Sequence, residues 1–358
     1  MRKLVQLSFL LTLTLAFTSC DPATTTDNDN NSTSTGNLKK AEGGKYYGGT
    51  LKLNSVENYT TLFPATITDV YSQHITTQIF EGLLKYNQTT LEIEPCLAET
   101  YEIDASNRVY TFNLRKGINY HDNECFEGGK GREVKAEDFK YVFEFLCSNH
   151  DLNKSQYLIQ DYIKGGNDFA EGKTENLEGV RVLNDYQLQI ELTEPFSGFT
   201  NILTLCQTGI FPKEAYDMYG EDIKENPVGS GPYQLESIGE HLILTKNESY
   251  WKKDEFGNQL PFISKIDISF EGNKAAELAS FNKEELDFVW GVPVEEIPNI
   301  MGTLDEAKEG KNREFELQSV NSLQIQYFGF NSTHPAFNNV KVRQAFNYAI
   351  NRDTIVNN

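Results

Sequence analysis

Between residues 46 and 358 short strand patterns and helical stretches follow one another in no fixed order, and this irregular interleaving limits the fold more than any other feature. Val109–Leu114 and Gln187–Leu192 alternate apolar and polar residues, the period of a half-buried strand. Asn184-Asp185-Tyr186 separates the second of these from Val180–Leu183, which predicts a hairpin. Gly48–Leu53, Gln234–Ser237, His241–Thr245 and Ile263–Phe270 also read as strands, the first opening the fold near Tyr46. Apolar residues at helical spacing predict helices over Thr68–Leu84, Lys135–Leu146, Phe196–Leu205, Ala275–Phe281 and Val340–Ile350. In Lys135–Leu146, Ala136, Phe139, Val142, Phe143 and Leu146 share one face, with Glu137 and Asp138 at the positive end of the helix dipole. Strands and helices mixed without a steady β-α-β-α repeat, and without an internal repeat, predict mixed α/β lobes rather than a barrel. A length of 358 residues fits two of them.

The N-terminus sets the compartment. Met1, Arg2 and Lys3 precede an apolar run, Leu4–Phe17, broken only by Gln6, Ser8, Thr12 and Thr14. The run is short for a membrane span and reads as a signal peptide over residues 1–19. Ser19 before Cys20 resembles a bacterial lipobox, with Phe17 standing where that pattern has Leu, so Cys20 is the expected lipidation site. An ordinary signal peptide with an incidental cysteine is the alternative. Asp21–Asn37 is almost wholly Thr, Asn, Asp and Ser, too polar to offset its ordering entropy, and residues 20–45 are expected to form a lipidated cysteine and a disordered tether. Four cysteines then remain, Cys96, Cys125, Cys147 and Cys206, as disulfides or as free buried thiols. Among the pairings, Cys125 with Cys147 is the expected one, if the helix ending at Cys147 folds back over the loop that holds Cys125.

Charge and motifs bear on function mainly by exclusion. Lys and Arg number 32 against 52 Asp and Glu, a net charge of −20, which disfavours nucleic acid and electrostatic docking on anionic membranes. Gly229-Ser230-Gly231 lacks nucleophile-elbow spacing, and in Gly128-Gly129-Lys130-Gly131 a glycine stands where a phosphate loop needs Ser or Thr. His121 and Cys125 are four residues apart and could share a metal, but Asp122 and Glu124 between them suit an ordinary polar loop, so no metal or cofactor is expected. No spacing of carboxylates singles out an acid/base pair. Binding is the better expectation, and an enzyme is not expected.

A series of short motifs then carries a resemblance. Gly48-Gly49-Thr50-Leu51 is followed by Glu81-Gly82-Leu83, Pro95-Cys96-Leu97-Ala98-Glu99-Thr100-Tyr101 and Tyr110-Thr111-Phe112-Asn113-Leu114-Arg115-Lys116-Gly117. Pro227-Val228-Gly229-Ser230-Gly231-Pro232-Tyr233 comes next, then Asn247-Glu248-Ser249-Tyr250-Trp251, and finally Phe330-Asn331, Pro335–Ala345 with its Val342-Arg343-Gln344-Ala345, and Ile350-Asn351-Arg352. In this order they resemble the bacterial family 5 extracellular solute-binding proteins, the peptide- and oligopeptide-binding components of ABC importers. Thr100 and Tyr101 replace the family's Ser and Trp.

The resemblance implies a two-lobed periplasmic-binding-protein-like α/β fold of the large peptide-binder type (class II), closing on a peptide ligand and docking on ABC importer permease subunits. The membrane is met only through the lipid anchor, on the periplasmic side of the cell envelope. Lobe I is expected over 46–270, with a subdomain at about 86–192, and lobe II over 271–358. Family members continue past the Val342–Ala345 motif, so the second lobe is expected to be incomplete, and the acidic residue that pairs with a peptide's amino terminus in the oligopeptide binders has no counterpart here. The loop after the first strand lines the family's cleft, which makes Glu57, Asn58 and Tyr59 candidates. Tyr157 falls where the family places a ligand-facing tyrosine, with core packing as the alternative, and Tyr233 is a candidate whose more ordinary role is structural. Rival readings are a ligand-sensing lipoprotein outside transport, an inactive remnant of a split gene, and an extracellular hydrolase, for which no nucleophile-base set is visible.

Overall fold

The structure, a computed structural model, describes residues 38–293, 296 and 327–357. The expected signal peptide, Cys20 and the first part of the expected tether lie outside these residues. The chain divides into two compact units between Gly291 and Val292, each described here by itself.

The first unit opens with β1 (Lys39–Lys40), β2 (Tyr46–Tyr47) and β3 (Thr50–Asn54), then α1 (Val70–Ile79), β4 (Leu84–Tyr86) and β5 (Ile93–Pro95). β6 (Ala98–Ile103), β7 (Val109–Leu114), α2 (Ala136–Cys147), α3 (Gly166–Ala170), β8 (Val180–Asn184) and β9 (Gln187–Glu191) follow. After α4 (Phe199–Ile202) and α5 (Lys213–Tyr219) the chain runs through β10 (Tyr233–Ile238), β11 (Leu242–Lys246), β12 (Lys265–Ser269) and α6 (Lys274–Asn282). Two four-stranded sheets result. One has the order β6-β7-β9-β8 and is antiparallel throughout; the other has the order β10-β11-β12-β3, with β3 parallel to β12.

The alternation read from sequence decides which faces are buried. Tyr110, Phe112 and Leu114 of β7 and Leu188 and Ile190 of β9 point into the core, and the intervening residues point out. α2 lays Phe139, Val142, Phe143 and Leu146 on the same core, and Asp138 reaches back to accept a hydrogen bond from Lys135 N at 2.8 Å, satisfying a donor outside the first turn. Phe63, Phe145 and Phe211 meet edge to face, with Phe63 4.7 Å from Phe211 and 5.5 Å from Phe145. Arg132 ties the start of α2 to α5 by pairing with Asp138 at 2.7 Å and Glu214 at 2.6 Å.

Three expectations change. The helix expected over Thr68–Leu84 starts at Val70, capped by Asp69, and stops at Ile79, because the apolar residues after it belong to a turn and to β4. A Cβ on Gly82 would meet Leu203 O at 3.3 Å and Thr208 O at 3.4 Å, so the chain leaves the helix axis to pass close to that segment. The expected tether gives way to structure by Lys39: Lys45 pairs with Asp254 at 3.1 Å, and Asn258 accepts from Glu42 N at 3.0 Å. Residues 271–291 stay with the first unit instead of opening the second, because Lys52 N donates to Asp287 Oδ2 at 2.7 Å and Asp287 N donates to Lys52 O at 3.0 Å.

In the second unit a helix spans Val340–Ala349, capped by Asn339, and another spans Arg352–Asn357. Phe330, Phe337 and Phe346 form an aromatic triangle with centroids 5.3–5.9 Å apart. No residue of the Val340–Ala349 helix is buried, and Phe346 and Tyr348 are exposed.

Candidate ligand-facing surface

The motifs that lie far apart in sequence meet in two joints. In the first, the Glu81 carboxylate is turned inward, only 9% exposed, and accepts three hydrogen bonds. Tyr250 donates its hydroxyl at 2.6 Å, Trp251 its Nε1 at 2.7 Å and Cys96 its thiol at 3.4 Å. Burial first and the carboxylate second push the Tyr250 phenol well above its ordinary range, so it remains a donor. Arg115 stacks over the Trp251 ring at 4.6 Å and donates to Cys96 O at 2.8 Å. One carboxylate thus joins the end of α1, the segment before β6 and the start of the 252–262 loop.

The second joint is the glycine turn at 229–231. His121 donates N to Gly229 O at 2.8 Å, and its Nε2 lies 2.9 Å from Gly231 O. A carbonyl can only accept, so Nε2 carries the proton, and Nδ1 is left without a partner among the described residues. Burial holds the imidazole down at about 4, against the opposing pull of the Gly231 carbonyl, and the ring is neutral at physiological pH. His121 is therefore a structural residue of the turn, and its Nε2 is not free for a metal shared with Cys125. Neither glycine has a positive φ; what the turn needs is close approach, since a Cβ on Gly229 would stand 2.0 Å from Ile79 O.

The joints hold the end of α1, β12 holds β3, and the candidate residues Glu57, Asn58 and Tyr59 lie on the loop between β3 and α1. Glu57 and Asn58 are exposed, and Tyr59 is half-buried against Phe270 at 5.8 Å. Thr60 links the loop to α1 by donating its hydroxyl to Asp69 Oδ2 at 2.6 Å. Burial alone would raise the Asp69 carboxyl, but bonds from Ser72 N and the Thr60 and Ser72 hydroxyls hold it below its ordinary value, an anionic cap on α1. One turn further along, His74 packs on Trp290 at 5.2 Å, and Trp290 packs on Phe288 at 5.7 Å. Trp290 is 65% exposed. Lys274 donates to Trp290 O and pairs with the buried Glu277 at 2.8 Å, which fixes the Trp290 backbone on α6. Two groups of side chains, together called the strip, are thus carried by α1 and the loop before it: Glu57, Asn58 and Tyr59 on the loop, and His74 with Trp290 at the helix.

Reading the sequence missed Trp290, Phe288 and His74. The signal present is the alternation Leu286, Phe288, Trp290 flanking Asp287, a strand-like period beside the edge of β3. The other candidates do not join the strip by any direct contact among the described residues. Tyr157 stands 69% exposed on a single turn of 3-10 helix, Gln156–Leu158, which overturns the core-packing alternative. Tyr233 is buried in β10 and donates its hydroxyl to Ile263 O at 3.1 Å, a structural role. The expected Cys125–Cys147 bridge is absent: Cys96, Cys125, Cys147 and Cys206 are all free. Cys147 closes α2 at 0% exposure, where burial pushes its thiol up to about 12, and a thiol held protonated there does not attack a partner.

The fold places the chain in a class of solved proteins. It superposes with a TM-score of 0.68 on the ABC transporter-associated periplasmic binding protein DppA from Helicobacter pylori in complex with peptide STSA, at 23% identity, covering 87% of this chain and 58% of that one. A dipeptide-binding protein from Pseudoalteromonas in complex with Met-Leu matches with a TM-score of 0.70 at 21% identity, covering 86% and 58%. The class is that of the two-lobed periplasmic binding proteins. The family model for bacterial extracellular solute-binding proteins, family 5 Middle, matches residues 92–358, and the chain belongs to that family. The glutathione-binding protein GsiB of Salmonella paratyphi A is 30% identical over 301 residues, which are 84% of this chain and 51% of the relative. The chain thus spans about half the length of the curated relatives it matches. The family is one of extracellular solute-binding proteins, and membership implies an exported protein.

Proposed function

We propose that this chain is the solute-capturing component of an ABC importer and that it takes short peptides or peptide-like ligands such as glutathione. The observation that carries this reading is the strip: exposed polar side chains on the loop before α1 and, packed against His74 of α1, an aromatic ring left largely open. Such a surface suits a ligand recognised by backbone hydrogen bonds and by stacking, with wet, roomy contact to its side chains. Glu57 and Asn58 would meet polar groups of the ligand, and Tyr59 and Trp290 would supply ring faces at low entropic cost. Tyr157 remains a second, separate candidate. The ligand class draws on the peptides and glutathione named for the relatives and neighbours.

Trp290 makes the test direct, because the chain has only two tryptophans and Trp251 is fixed by Glu81. Titration with glutathione and with tri- to pentapeptides is expected to change tryptophan emission and to give saturable heats. Trp290→Phe should remove the emission change, and Trp290→Ala should weaken binding by about tenfold. Saturable binding that is indifferent to Trp290, Tyr59 and Glu57 would move the site elsewhere, and no binding of any of these ligands would defeat the reading.

We propose further that Cys20 carries a lipid that holds the protein at the membrane. The basis is the basic start, the apolar run, Ser19 before the cysteine and the polar stretch after it. Metabolic labelling with a fatty acid should tag the wild type and leave Cys20→Ala untagged, and equal labelling of the two would refute the anchor.

A further inference from the structure

His150 is bound at both ring nitrogens, and its two partners require one tautomer. Leu152 N lies 3.1 Å from Nδ1, and a backbone N–H can only donate, so Nδ1 carries a lone pair. The proton of the neutral ring is therefore on Nε2, which donates to the Tyr216 hydroxyl at 2.6 Å. The ring is also packed in place: its centroid is 5.0 Å from that of Phe145 on α2 and 5.5 Å from that of Tyr216 on α5. It is half-buried, so protons from solvent reach it.

The turn that begins at His150 carries structure beyond itself. Asn153 N donates to His150 O at 2.8 Å, and the Asn153 amide donates to the carbonyls of Phe145, Leu146 and Ser148 at 2.8–3.1 Å, which fastens the turn to the end of α2. On its other side Leu152 O accepts from the Thr66 hydroxyl at 2.7 Å, and Lys154 N donates to Ala65 O at 2.9 Å. Ala65 and Thr66 belong to the loop before α1, which also carries Glu57, Asn58 and Tyr59. Tyr157, the separate ligand candidate, follows the turn directly.

A second proton on the ring is incompatible with this arrangement. An imidazolium donates from both nitrogens, so no orientation of the ring offers Leu152 N an acceptor. The Nε2 bond to Tyr216 survives protonation, and the Phe145 and Tyr216 rings keep the imidazole in its place. Two N–H groups then face each other at Nδ1, and the turn has to yield. Among the described residues no carboxylate forms an ion pair with the ring. Glu144 of α2 is paired with Lys140, Glu214 and Asp217 of α5 are paired with Arg132 and Lys213, and Asp151 and Lys154 on the turn itself are exposed.

We propose that His150 is a pH sensor for the ligand surface: uptake of a proton at Nδ1 opens the 150–155 turn, loosens the loop before α1 and unseats Tyr157, so that ligand is held near neutral pH and released on acidification. The release rests on the peptide reading above; the opening of the turn does not.

Ring and amide are followed separately by NMR on the full chain, from about pH 8 to about pH 5, the range in which imidazole side chains change charge. The Leu152 amide is expected to shift with the same midpoint as the His150 ring carbons and, on the acid side, to lose exchange protection relative to Leu146 of α2. In His150→Gln, whose amide can both accept and donate throughout this range, Leu152 should not titrate. Calorimetry with glutathione and with tri- to pentapeptides should give wild-type affinity about tenfold weaker at the acid end, and nearly level affinity in His150→Gln. His74 beside Trp290 is present in both proteins, so its contribution cancels. A Leu152 amide that ignores the titration of the ring would overturn the sensor even where peptides bind, and so would an equal loss of affinity in a folded His150→Gln. Absence of peptide binding at both ends would instead defeat the peptide reading, and the amide titration would still decide the sensor.

Discussion

Glu81→Ala is expected to lower the free energy of unfolding by about 3–5 kcal/mol, the range for removing one partner from a buried charged network. The carboxylate contributes little by itself. The cost comes from what it leaves behind: a buried Tyr250 hydroxyl, a buried Cys96 thiol and a partly buried Trp251 indole N–H, each without its acceptor. Glu81→Gln keeps an acceptor but turns an amide N–H₂ toward those donors, and should lose less than Glu81→Ala. Tyr250→Phe removes one donor with its partner intact. If the account holds, the double variant Glu81→Ala, Tyr250→Phe is less destabilised than the sum of the singles, because the phenol orphaned by the first change is absent in the second. Urea unfolding of the wild type and the four variants measures this. A loss below about 1 kcal/mol for Glu81→Ala would mean that water or a shifted side chain replaces the carboxylate, and that the joint is weaker than its geometry.

Glu81 also marks where the sequence was legible and where it was not. The period-two pattern of Tyr110, Phe112 and Leu114, and the helical stripe of Phe139, Val142, Phe143 and Leu146, are local, and each is found on the expected element with the expected face buried. The hairpin across Asn184-Asp185-Tyr186 is local too, with Tyr186 N donating to Asn184 Oδ1 at 3.0 Å. The end of α1 was misread because Ile79, Phe80, Leu83 and Leu84 fit a helical stripe equally well. Past Ile79 the chain carries Gly82 close to residues 203 and 208, a contact that no window around α1 contains. For the same reason the Lys45–Asp254 clasp, the attachment of Asp287 to Lys52 and the packing of His74 on Trp290 were invisible: each joins residues distant in the chain. Glu57, Asn58 and Tyr59 came from resemblance and do lie together on an accessible loop, whereas Tyr233 carries the same kind of resemblance and is buried. A motif identifies a position in the fold; exposure, which only the packed structure gives, decides whether that position can touch a ligand. The cysteine pairing failed on this ground as well, since Cys147 is an apolar residue of the α2 core stripe before it is a thiol.

Gly229→Ala is expected to cost at least about 3 kcal/mol. The added Cβ would lie 2.0 Å from Ile79 O and 3.1 Å from Phe80 Cδ1, and the first of these atoms is backbone that a rotamer change cannot move. Nor can the turn retreat cheaply. Gly231 N donates to Ile79 O at 2.8 Å, Asn247 Nδ2 donates to Gly231 O at 3.0 Å, and His121 holds both Gly229 O and Gly231 O. A displacement large enough to relieve the clash breaks the bond at the end of α1 and strips the buried neutral imidazole of its acceptor. Gly239→Ala is the control, since a Cβ there meets nothing closer than 4.0 Å, and it should stay within about 0.5 kcal/mol of the wild type. Equal stability of the two variants would show that the turn yields and that close approach is not its reason for glycine. The consequence reaches the ligand surface, because α1 is the element on which the turn pushes and also the element that carries His74 to Trp290. Any Gly229→Ala protein that folds is therefore expected to lose part of the Trp290 emission response to peptides, although residue 229 makes no direct contact with the strip.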